Sequence, residues 1–223
     1  MTIKHACVVL LSGGMDSTTL LALAKKHFDE VAALSIDYAQ RHKRELECAK
    51  KVAEHYGVPH KILDITNINS LIQGSSLTSD EVAVPHGHYE DESMKLTVVP
   101  ARNTILLSIA AGWAISMEYA FVAYAAHAGD HAIYPDCRKE FVDALQHTFN
   151  VFHYWPVNLW APFLDIDKAD IAMKGIELGV PYELTHTCYE GGEVACGKCG
   201  SCQERLYAFD KAGKPDPVAY AGE

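Results

Sequence analysis

The sequence predicts an α/β fold, in which a parallel β-sheet carries helices on both faces and a four-cysteine segment follows near the carboxyl terminus. Three observations predict it. Short apolar runs of strand length alternate with segments of helical composition, the pattern of parallel βαβ units. A glycine-rich turn directly follows the first run, at a position that often binds anions. Four of the seven cysteines lie close together, which is typical of a metal site.

The elements are predicted in chain order from apolar runs and from helix-ending signals. Continuous apolar runs are typical of strands covered on both faces. Gly57 and Gly179, each followed two residues later by proline, are typical helix ends. The strands are expected at 6–11, 31–36, 61–65, 119–125 and 157–159. The helices are expected at 17–28, 42–56, 102–117, 138–150 and 168–178.

The length of 223 residues suits one α/β domain with an appendage better than two independent domains. We expect an α/β domain at 1–185, a cysteine-rich metal-binding segment at 186–210 and an irregular tail at 211–223. Residues 66–97 carry few apolar positions in register and interrupt the alternation as an insertion. Two interpretations of this insertion stay open: a segment that folds over a site, or a disordered surface loop.

Charge and cysteine use limit the function classes. Nineteen basic residues against 29 acidic ones give a net charge of −10, which disfavours a nucleic-acid partner and favours a small-molecule substrate. The six apolar residues at 6–11 are too few for a signal peptide or a membrane span. We therefore expect no membrane association and a cytoplasmic location. In that reducing compartment, cysteines are metal ligands, catalytic thiols or core residues rather than disulfides.

The turn after the first strand has the sequence Ser-Gly-Gly-Met-Asp-Ser-Thr. Its glycines let the backbone approach an anion closely, and the helix that follows adds free N–H groups and the positive end of its dipole. The turn lacks the lysine of a Walker A loop. Its carboxylate, Asp16, conflicts with bound phosphates unless Mg²⁺ bridges them. The candidate residues for binding a phosphorylated cofactor are Ser12, Gly13, Gly14, Asp16, Ser17 and Thr18.

Two cations are predicted in the first turns of helices, Arg102 behind Pro100 and Lys168 behind Asp167. Asp167 as N-cap and Asp170 three residues later indicate a capping box. The helix dipole opposes a cation in this position by ~0.3–1 kcal/mol unless an anion is near. Each cation therefore either contacts a phosphate or a carboxylate, or extends into solvent.

The cysteine cluster has the spacing Cys-x7-Cys-x2-Cys-x2-Cys. Four thiolates complete the tetrahedron that Zn²⁺ prefers, and a closed four-sulfur site leaves no position for water. We expect one structural zinc ion per chain, with an iron–sulfur cluster as the alternative. Lys198 and Arg205 are expected to offset part of the negative charge, and His186 is expected to lie in solvent. The candidate metal ligands are Cys188, Cys196, Cys199 and Cys202.

A polar loop follows the fourth predicted strand. Because ligands bind at the carboxyl ends of parallel strands, this loop should lie near the glycine-rich turn. Its carboxylates Asp130 and Asp136 and its guanidinium, Arg138, suit recognition of a polar heterocycle. The remaining reactive side chains of the loop are interpreted as structural residues; they are His127, His131 and Cys137.

The turn at 12–18 resembles the pyrophosphate loop of ATP pyrophosphatases. Together with Val-Pro-Ala-Arg-Asn at 99–103, Tyr-Pro-Asp-Cys-Arg at 134–138 and the four cysteines, it resembles the 7-cyano-7-deazaguanine synthases, over residues 6 to about 210. The resemblance implies a Rossmann-like adenine nucleotide alpha-hydrolase fold, a bound zinc ion, Mg²⁺ with ATP, and a homodimer. It adds Asn103 and Tyr134 to the candidate substrate-binding residues.

The same resemblance implies an ATP-dependent ligase that makes a precursor of queuosine. It converts 7-carboxy-7-deazaguanine and ammonia to 7-cyano-7-deazaguanine through an adenylated carboxylate and then an adenylated amide. Arg102 or Arg138 would hold the substrate carboxylate, and Asp130 or Asp136 the ring. The candidate catalytic residues are Asp16, Lys168 and Arg102.

Three alternatives stay open. The first is an enzyme that stops at 7-amido-7-deazaguanine after a single adenylation. The second is a tRNA-thiolating enzyme in which Cys137 carries sulfur. The third is a zinc-ribbon binding module for which ATP is only a ligand.

Overall fold

The computed structural model of the protein describes residues 3–41, 43–79, 81–86 and 92–222. Its strands are β1 Lys4–Leu10, β2 Glu30–Asp37, β3 His60–Asp64, β4 Tyr119–Ala123 and β5 Asn158–Trp160. Its α-helices are α1 Met15–His27, α2 Arg44–Tyr56, α3 Arg102–Ser116, α4 Lys139–Val151, α5 Lys168–Leu178 and α6 Gly200–Lys211. In the described ranges, every helix falls short of the length and apolar content needed to cross a bilayer.

The strands form one sheet in the order β3-β2-β1-β4-β5, and every neighbouring pair is parallel. Alternate residues of β1 face opposite sides. Val8 packs into the core on the side of α3 and α4, whereas Cys7 and Val9 pack on the side of α1, α2 and α5. Both faces of the central strands are buried, as their continuous apolar sequence predicts. The strand order reverses between β1 and β4, where folds of this class bind ligands.

The ten predicted elements are all present, with ends that differ by a residue or two. Gly57 and Gly179 end α2 and α5 in the left-handed conformation, with φ of 61° and 69°, as the sequence predicts. Residue 42, where the sequence predicts that α2 begins, lies outside the described residues. The sixth helix, α6, is an addition to the prediction.

The insertion at 66–97 packs against the protein in its described part. It contains two 3₁₀ turns, Thr66–Ser70 and Glu92–Thr97. Leu77 and Met94 are buried, and Val84 packs among the cysteines of the carboxyl-terminal segment. This packing argues against a disordered surface loop in the described part of the insertion. Residues 80 and 87–91 of the insertion lie outside the described residues.

The tail after α6 has no helix or ladder of its own in the part that the structure describes, but a buried ion pair anchors it. Arg205 Nε lies 2.7 Å from Asp216 Oδ2, and both side chains are almost fully buried. The hydroxyl of Tyr220 donates to the same carboxylate at 2.7 Å. The expectation that Arg205 offsets the charge of the cysteine site is therefore wrong, because Asp216 is its partner.

Candidate active site

A cavity of about 230 Å³ lies at the carboxyl edge of the sheet, where the strand order reverses. Its wall is built by the ends of β1 and β4, the first turns of α1, α2, α3 and α5, and the cysteine-rich segment. The predicted site residues that line it are Ser12, Gly14, Asp16, Ser17, Arg102, Asn103, Asp130 and Lys168. The fold therefore joins the glycine-rich turn to both of the predicted cations.

Hydrogen bonds within the glycine-rich turn hold two hydroxyl groups at the cavity. The backbone N–H of Ser12 donates to Ser17 Oγ at 3.2 Å, and the two Oγ atoms lie 3.0 Å apart. Gly14, the N-cap of α1, provides no side-chain cap. The first N–H groups of α1 are therefore available to an anion.

Gly13 and Thr18 support the turn from behind. Gly13 has φ +93°, and a Cβ atom built on it would lie 2.0 Å from the backbone oxygen of Glu45 in α2. Thr18 is fully buried, and its hydroxyl donates to the Gly14 carbonyl at 2.8 Å. The backbone N–H of His186 donates to the Gly13 carbonyl at 3.0 Å. His186 is buried, so the expectation that it lies in solvent is wrong.

Lys168 begins α5 directly after Asp167. The predicted capping box is present, with the Asp170 N–H donating to Asp167 Oδ1 at 2.9 Å. The Lys168 side chain is only 6% exposed; its Nζ lies 3.2 Å from Asp16 Oδ2 and 2.5 Å from Glu204 Oε2. Burial alone would lower the pKa of Lys168, but the charges of Asp16 and Glu204 outweigh it and raise the pKa. Lys168 is therefore a buried ammonium ion at the cavity wall and does not extend into solvent.

His127 completes this charged cluster. Its Nδ1 accepts the Gly129 N–H at 3.1 Å, so the neutral ring carries its hydrogen on Nε2. That atom faces Asp130 Oδ1 at 3.6 Å, and Asp16 Oδ2 and Glu204 Oε1 at 4.0 Å each. Desolvation raises the pKa of Glu204. His127, interpreted from the sequence as structural, thus lies among the charged residues of the cavity.

Arg102 enters the cavity from the first turn of α3. It follows Ala101, which has the left-handed φ of 56°. Its guanidinium carbon lies 5.9 Å from the centre of the Tyr134 ring. Burial opposes its charge, but Tyr38 and Asp136 favour it, and the pKa of Arg102 is raised. Arg102 is therefore a second fixed cation, supplied by a different helix.

Asp136 and Asn103 hold the start of α3 against the loop after β4. The backbone N–H of Asn103 donates to Asp136 Oδ2 at 3.1 Å, and its side-chain amide donates to the Asp136 carbonyl at 3.2 Å. The same amide lies 3.4 Å from Cys137 Sγ. Asp136 is thus used within the protein and does not line the cavity.

Tyr134 and Arg138 also lie outside the cavity wall. The Tyr134 side chain is buried, and its hydroxyl lies 2.5 Å from that of Thr97. Arg138 is exposed, and its Nε donates to the His131 carbonyl at 2.7 Å. Tyr134 supports Arg102 through its ring, whereas Arg138 lies at the protein surface.

The structure adds cavity residues that the sequence did not indicate. Glu45, in the first turn of α2, is 9% exposed, and desolvation raises its pKa to about 8. The cysteine-rich segment supplies Thr187, Tyr189 and Ser201 to the wall. The only sequence signal for these three was their position beside predicted metal ligands.

The four cysteine sulfurs lie within 4.8 Å of one another. A single ion about 2.3 Å from each sulfur sets sulfur–sulfur distances of about 3.8 Å, so the cluster fits one metal ion. Backbone N–H groups of Cys196 and Cys199 donate to the sulfurs of Cys188 and Cys196 at 3.3 and 3.2 Å. The thiols of Cys199 and Cys202, together with the Cys196 N–H, lower the pKa of Cys188. Donors of this kind stabilise thiolates, the form that binds metal.

Two glycines make tight turns around the cluster. Gly191 and Gly197 have φ of 72° and 70°, in the region that favours glycine. The four predicted ligands are therefore brought together and can hold a metal ion.

A family model and individual relatives of known name agree on the family to which the chain is similar. The family model described as "Queuosine biosynthesis protein QueC" matches residues 6–213. The 7-cyano-7-deazaguanine synthase of Hahella chejuensis is 55% identical over 218 residues, which cover 98% of this chain and 94% of that protein. The synthase of Caldicellulosiruptor saccharolyticus is 53% identical over 213 residues, covering 96% and 94%.

More distant solved structures share the fold. NMN synthetase from Francisella tularensis has a TM-score of 0.52 at 15% identity, covering 95% of this chain and 79% of that one. The U34-tRNA thiolase NcsA from Methanococcus maripaludis, solved with its [4Fe-4S] cluster, has a TM-score of 0.51 at 18% identity, covering 94% and 65%. At such identities the likeness supports the fold alone.

Proposed function

The chain belongs to the queuosine biosynthesis protein QueC family, and from this premise we propose how its cavity converts 7-carboxy-7-deazaguanine, ammonia and ATP to 7-cyano-7-deazaguanine. It is an ATP-dependent enzyme of queuosine biosynthesis. One observation carries the proposal: a single cavity joins the glycine-rich turn to the cations Arg102 and Lys168. Activation of a carboxylate by ATP needs phosphates and a carboxylate side by side, and this cavity offers partners for both.

The glycine-rich turn would bind the phosphates of ATP. The Ser12 and Ser17 side chains line the cavity beside the first N–H groups of α1, while Gly13 and Thr18 hold the turn in place. Among the described residues, no group donates a hydrogen bond to the buried Oδ1 of Asp16. That free oxygen fits a magnesium ion that arrives with ATP, because Mg²⁺ is bound by carboxylate oxygens together with substrate phosphates. When bound there, the ion would supply positive charge to the departing pyrophosphate.

Arg102 and Lys168 would stabilise the negative charges of the substrate and of the departing pyrophosphate each time ATP activates the substrate. A carboxylate repels a nucleophile, but its ester with AMP expels AMP readily. The substrate carboxylate attacks the α-phosphorus of ATP, and pyrophosphate leaves toward Lys168 and the N–H groups of α1. Ammonia then displaces AMP and gives an amide. A second ATP adenylates the amide oxygen, and loss of AMP with the remaining N–H protons leaves the nitrile. Electrostatic stabilisation of this kind commonly contributes more to catalysis than any other effect.

The geometry favours one residue of each pair proposed for substrate binding. Arg102 lines the cavity, whereas Arg138 is exposed and donates to a backbone carbonyl, so we assign the substrate carboxylate to Arg102. Asp130 lines the cavity, whereas Asp136 accepts from the backbone of α3. We therefore assign the N–H groups of the guanine-like ring to Asp130.

We assign the four-cysteine site to one structural zinc ion. Sulfurs within 4.8 Å of one another suit a single tetrahedral ion. A [4Fe–4S] cluster places a different iron behind each cysteine and spreads the sulfurs further apart. Metal analysis of the purified protein should give one zinc per chain. Absorbance near 400 nm would instead identify an iron–sulfur cluster.

The tRNA-thiolation alternative requires a reactive Cys137. Cys137 lines the cavity, but its side chain is buried, and desolvation, together with the charges of Asp130 and Asp136, raises the pKa of Cys137. A thiol held in this way carries little thiolate, the nucleophilic form. The structure therefore supports carboxylate activation over sulfur transfer.

Two further assignments complete the proposal. Four thiolate ligands need reduced cysteines, which supports a reducing compartment such as the cytoplasm. A homodimer is implied by the family and stays a prediction. Light scattering of the purified protein should give twice the mass of one chain.

Mass spectrometry of the product formed from 7-carboxy-7-deazaguanine, ammonia and MgATP tests the function. We expect the nitrile, with two AMP and two pyrophosphate released for each one. The amide with one AMP would establish the shorter reaction, and ATP binding without any AMP release would establish a binding module.

Lys168→Met should lower turnover strongly. Lys139→Met is the matched control, because Lys139 also begins a helix but pairs with Asp143 at the surface.

A further inference from the structure

Glu204 is a carboxylate at the active-site cluster that lies outside the sequence prediction. It lies on α6, and its side chain is 12% exposed. Its Oε2 lies 2.5 Å from Lys168 Nζ, and its Oε1 lies 4.0 Å from His127 Nε2. A Cβ atom built on Gly129 would lie 3.0 Å from the same Oε1, so the glycine leaves the room that the carboxylate occupies. Glu204 is therefore closely fitted between two elements of the cavity.

The two carboxylates around Lys168 differ in what else they can do. Asp16 belongs to the glycine-rich turn and holds the ammonium with Oδ2, at 3.2 Å. Glu204 holds it at the shorter distance of 2.5 Å and belongs to α6. Glu204 therefore gives the ammonium a carboxylate partner that lies outside the nucleotide-binding turn.

The cysteine cluster lies at the start of the helix that carries Glu204. Cys199 is the N-cap of α6 and Cys202 lies in its first turn, and both are buried. A metal ion that holds these two sulfurs sets the position of the helix start, and Glu204 follows one turn later. The cluster is thus joined to Lys168 through a single short stretch of rigid helix.

We propose that Glu204 is a positioning residue, which holds the Lys168 ammonium against the nucleotide-binding turn and is itself placed by the four-cysteine site. This inference rests on the proposed function, because Lys168 is there assigned to the departing pyrophosphate. When the Lys168 cation is misplaced, stabilisation of the transition state falls more than the binding of ATP in the ground state. The expected result of Glu204→Gln is therefore a fall in kcat of about 10- to 100-fold with KM for ATP changed by less than about threefold.

The first experiment is a double-mutant cycle on the metal-loaded enzyme. It compares Glu204→Gln, Lys168→Met and the double variant, with Asp210→Asn as the control for an exposed carboxylate on the same helix. If Glu204 acts through Lys168, the double variant has the kcat of Lys168→Met alone. Glu204→Asp, which keeps the charge, should recover part of the rate. If the fold losses in kcat of the two single variants multiplied in the double variant, the proposal would be overturned. A Glu204→Gln variant with the kcat of the wild type would also overturn it.

The second experiment needs no turnover. Acetylation of lysines by an activated ester is followed by mass spectrometry, with the exposed Lys139 as internal reference. Lys168 should be labelled slowly in the wild type and about tenfold faster in Glu204→Gln, because a lysine that loses a carboxylate partner deprotonates more easily. Removal of the metal from the wild type should give the same increase, and metal removal from Glu204→Gln should add little.

Unchanged labelling of Lys168 in a folded Glu204→Gln protein would refute the contact. Unchanged labelling after metal removal would refute the part assigned to the cysteine site. A wild-type protein that forms no nitrile but shows the labelling pattern would overturn the proposed function and leave the positioning role in place.

Discussion

Gly13 provides a direct test of how the nucleotide-binding turn is built. In Gly13→Ala, the new residue must adopt φ +93°, and its Cβ would lie 2.0 Å from the Glu45 oxygen and 2.7 Å from the Ala49 nitrogen. Both are backbone atoms of α2, so relief requires movement of the helix. The backbone conformation costs about 1–2 kcal/mol and the overpacking about 1–3 kcal/mol. We therefore expect a loss of about 2–5 kcal/mol in the free energy of unfolding.

Urea unfolding measures this loss, and Gly14→Ala is the matched control. Gly14 has the ordinary φ of −79°, and the nearest atom to its added Cβ is the movable Ser12 Oγ at 3.3 Å. Gly14→Ala should therefore lose less than about 1 kcal/mol, while its weaker binding of ATP is measured by calorimetry. If Gly13→Ala were as stable as the wild type, or if both variants lost the same amount, the packing argument would be refuted.

Three further predictions follow from buried groups. Asp216→Asn leaves Arg205 buried without its counter-charge and should lower the free energy of unfolding by about 3–5 kcal/mol; a loss under about 1 kcal/mol in urea would contradict this. The pKa of Glu45 is about 8 in the folded protein against an ordinary 4.5, so the folded state binds more protons between these values and stability falls as pH rises through them. Glu45→Gln should remove this loss of unfolding free energy, which is worth up to about 5 kcal/mol. Urea unfolding of the wild type and the variant at pH 5 and pH 8.5 measures it, and the same pH dependence in both proteins would contradict the prediction. Cys137→Ala should form the nitrile at a rate within about threefold of the wild type. Loss of turnover in this variant would show that the thiol takes part in the chemistry.

Local patterns account for what the sequence predicted well. The capping box of Asp167 and Asp170 and the helix ends at Gly57 and Gly179 depend on residues within one turn of each other. The four cysteines likewise lie in one short segment. Such features need no knowledge of the fold, and the structure contains each of them.

Partners that are distant in the chain account for what the sequence left open. Glu204 meets Lys168 from 36 residues away, and this pairing has no local signal. The helix α6 was missed because Gly200 and Cys202, with low helix propensity, occupy its first turn. The choice between Arg102 and Arg138 likewise depends on which side chain the loop after β4 leaves at the surface.

The hydrogen bond from the His186 N–H to the Gly13 carbonyl has a consequence for biosynthesis of the protein. A ribosome completes the first strand and its turn early, but the backbone that braces this turn is translated much later. Glu204, which pairs with Lys168 at the cavity wall, comes later still. The turn therefore gains this support only after residue 186 has been translated. A product released by premature termination before that residue would contain all five strands of the sheet yet lack this support of its nucleotide-binding turn.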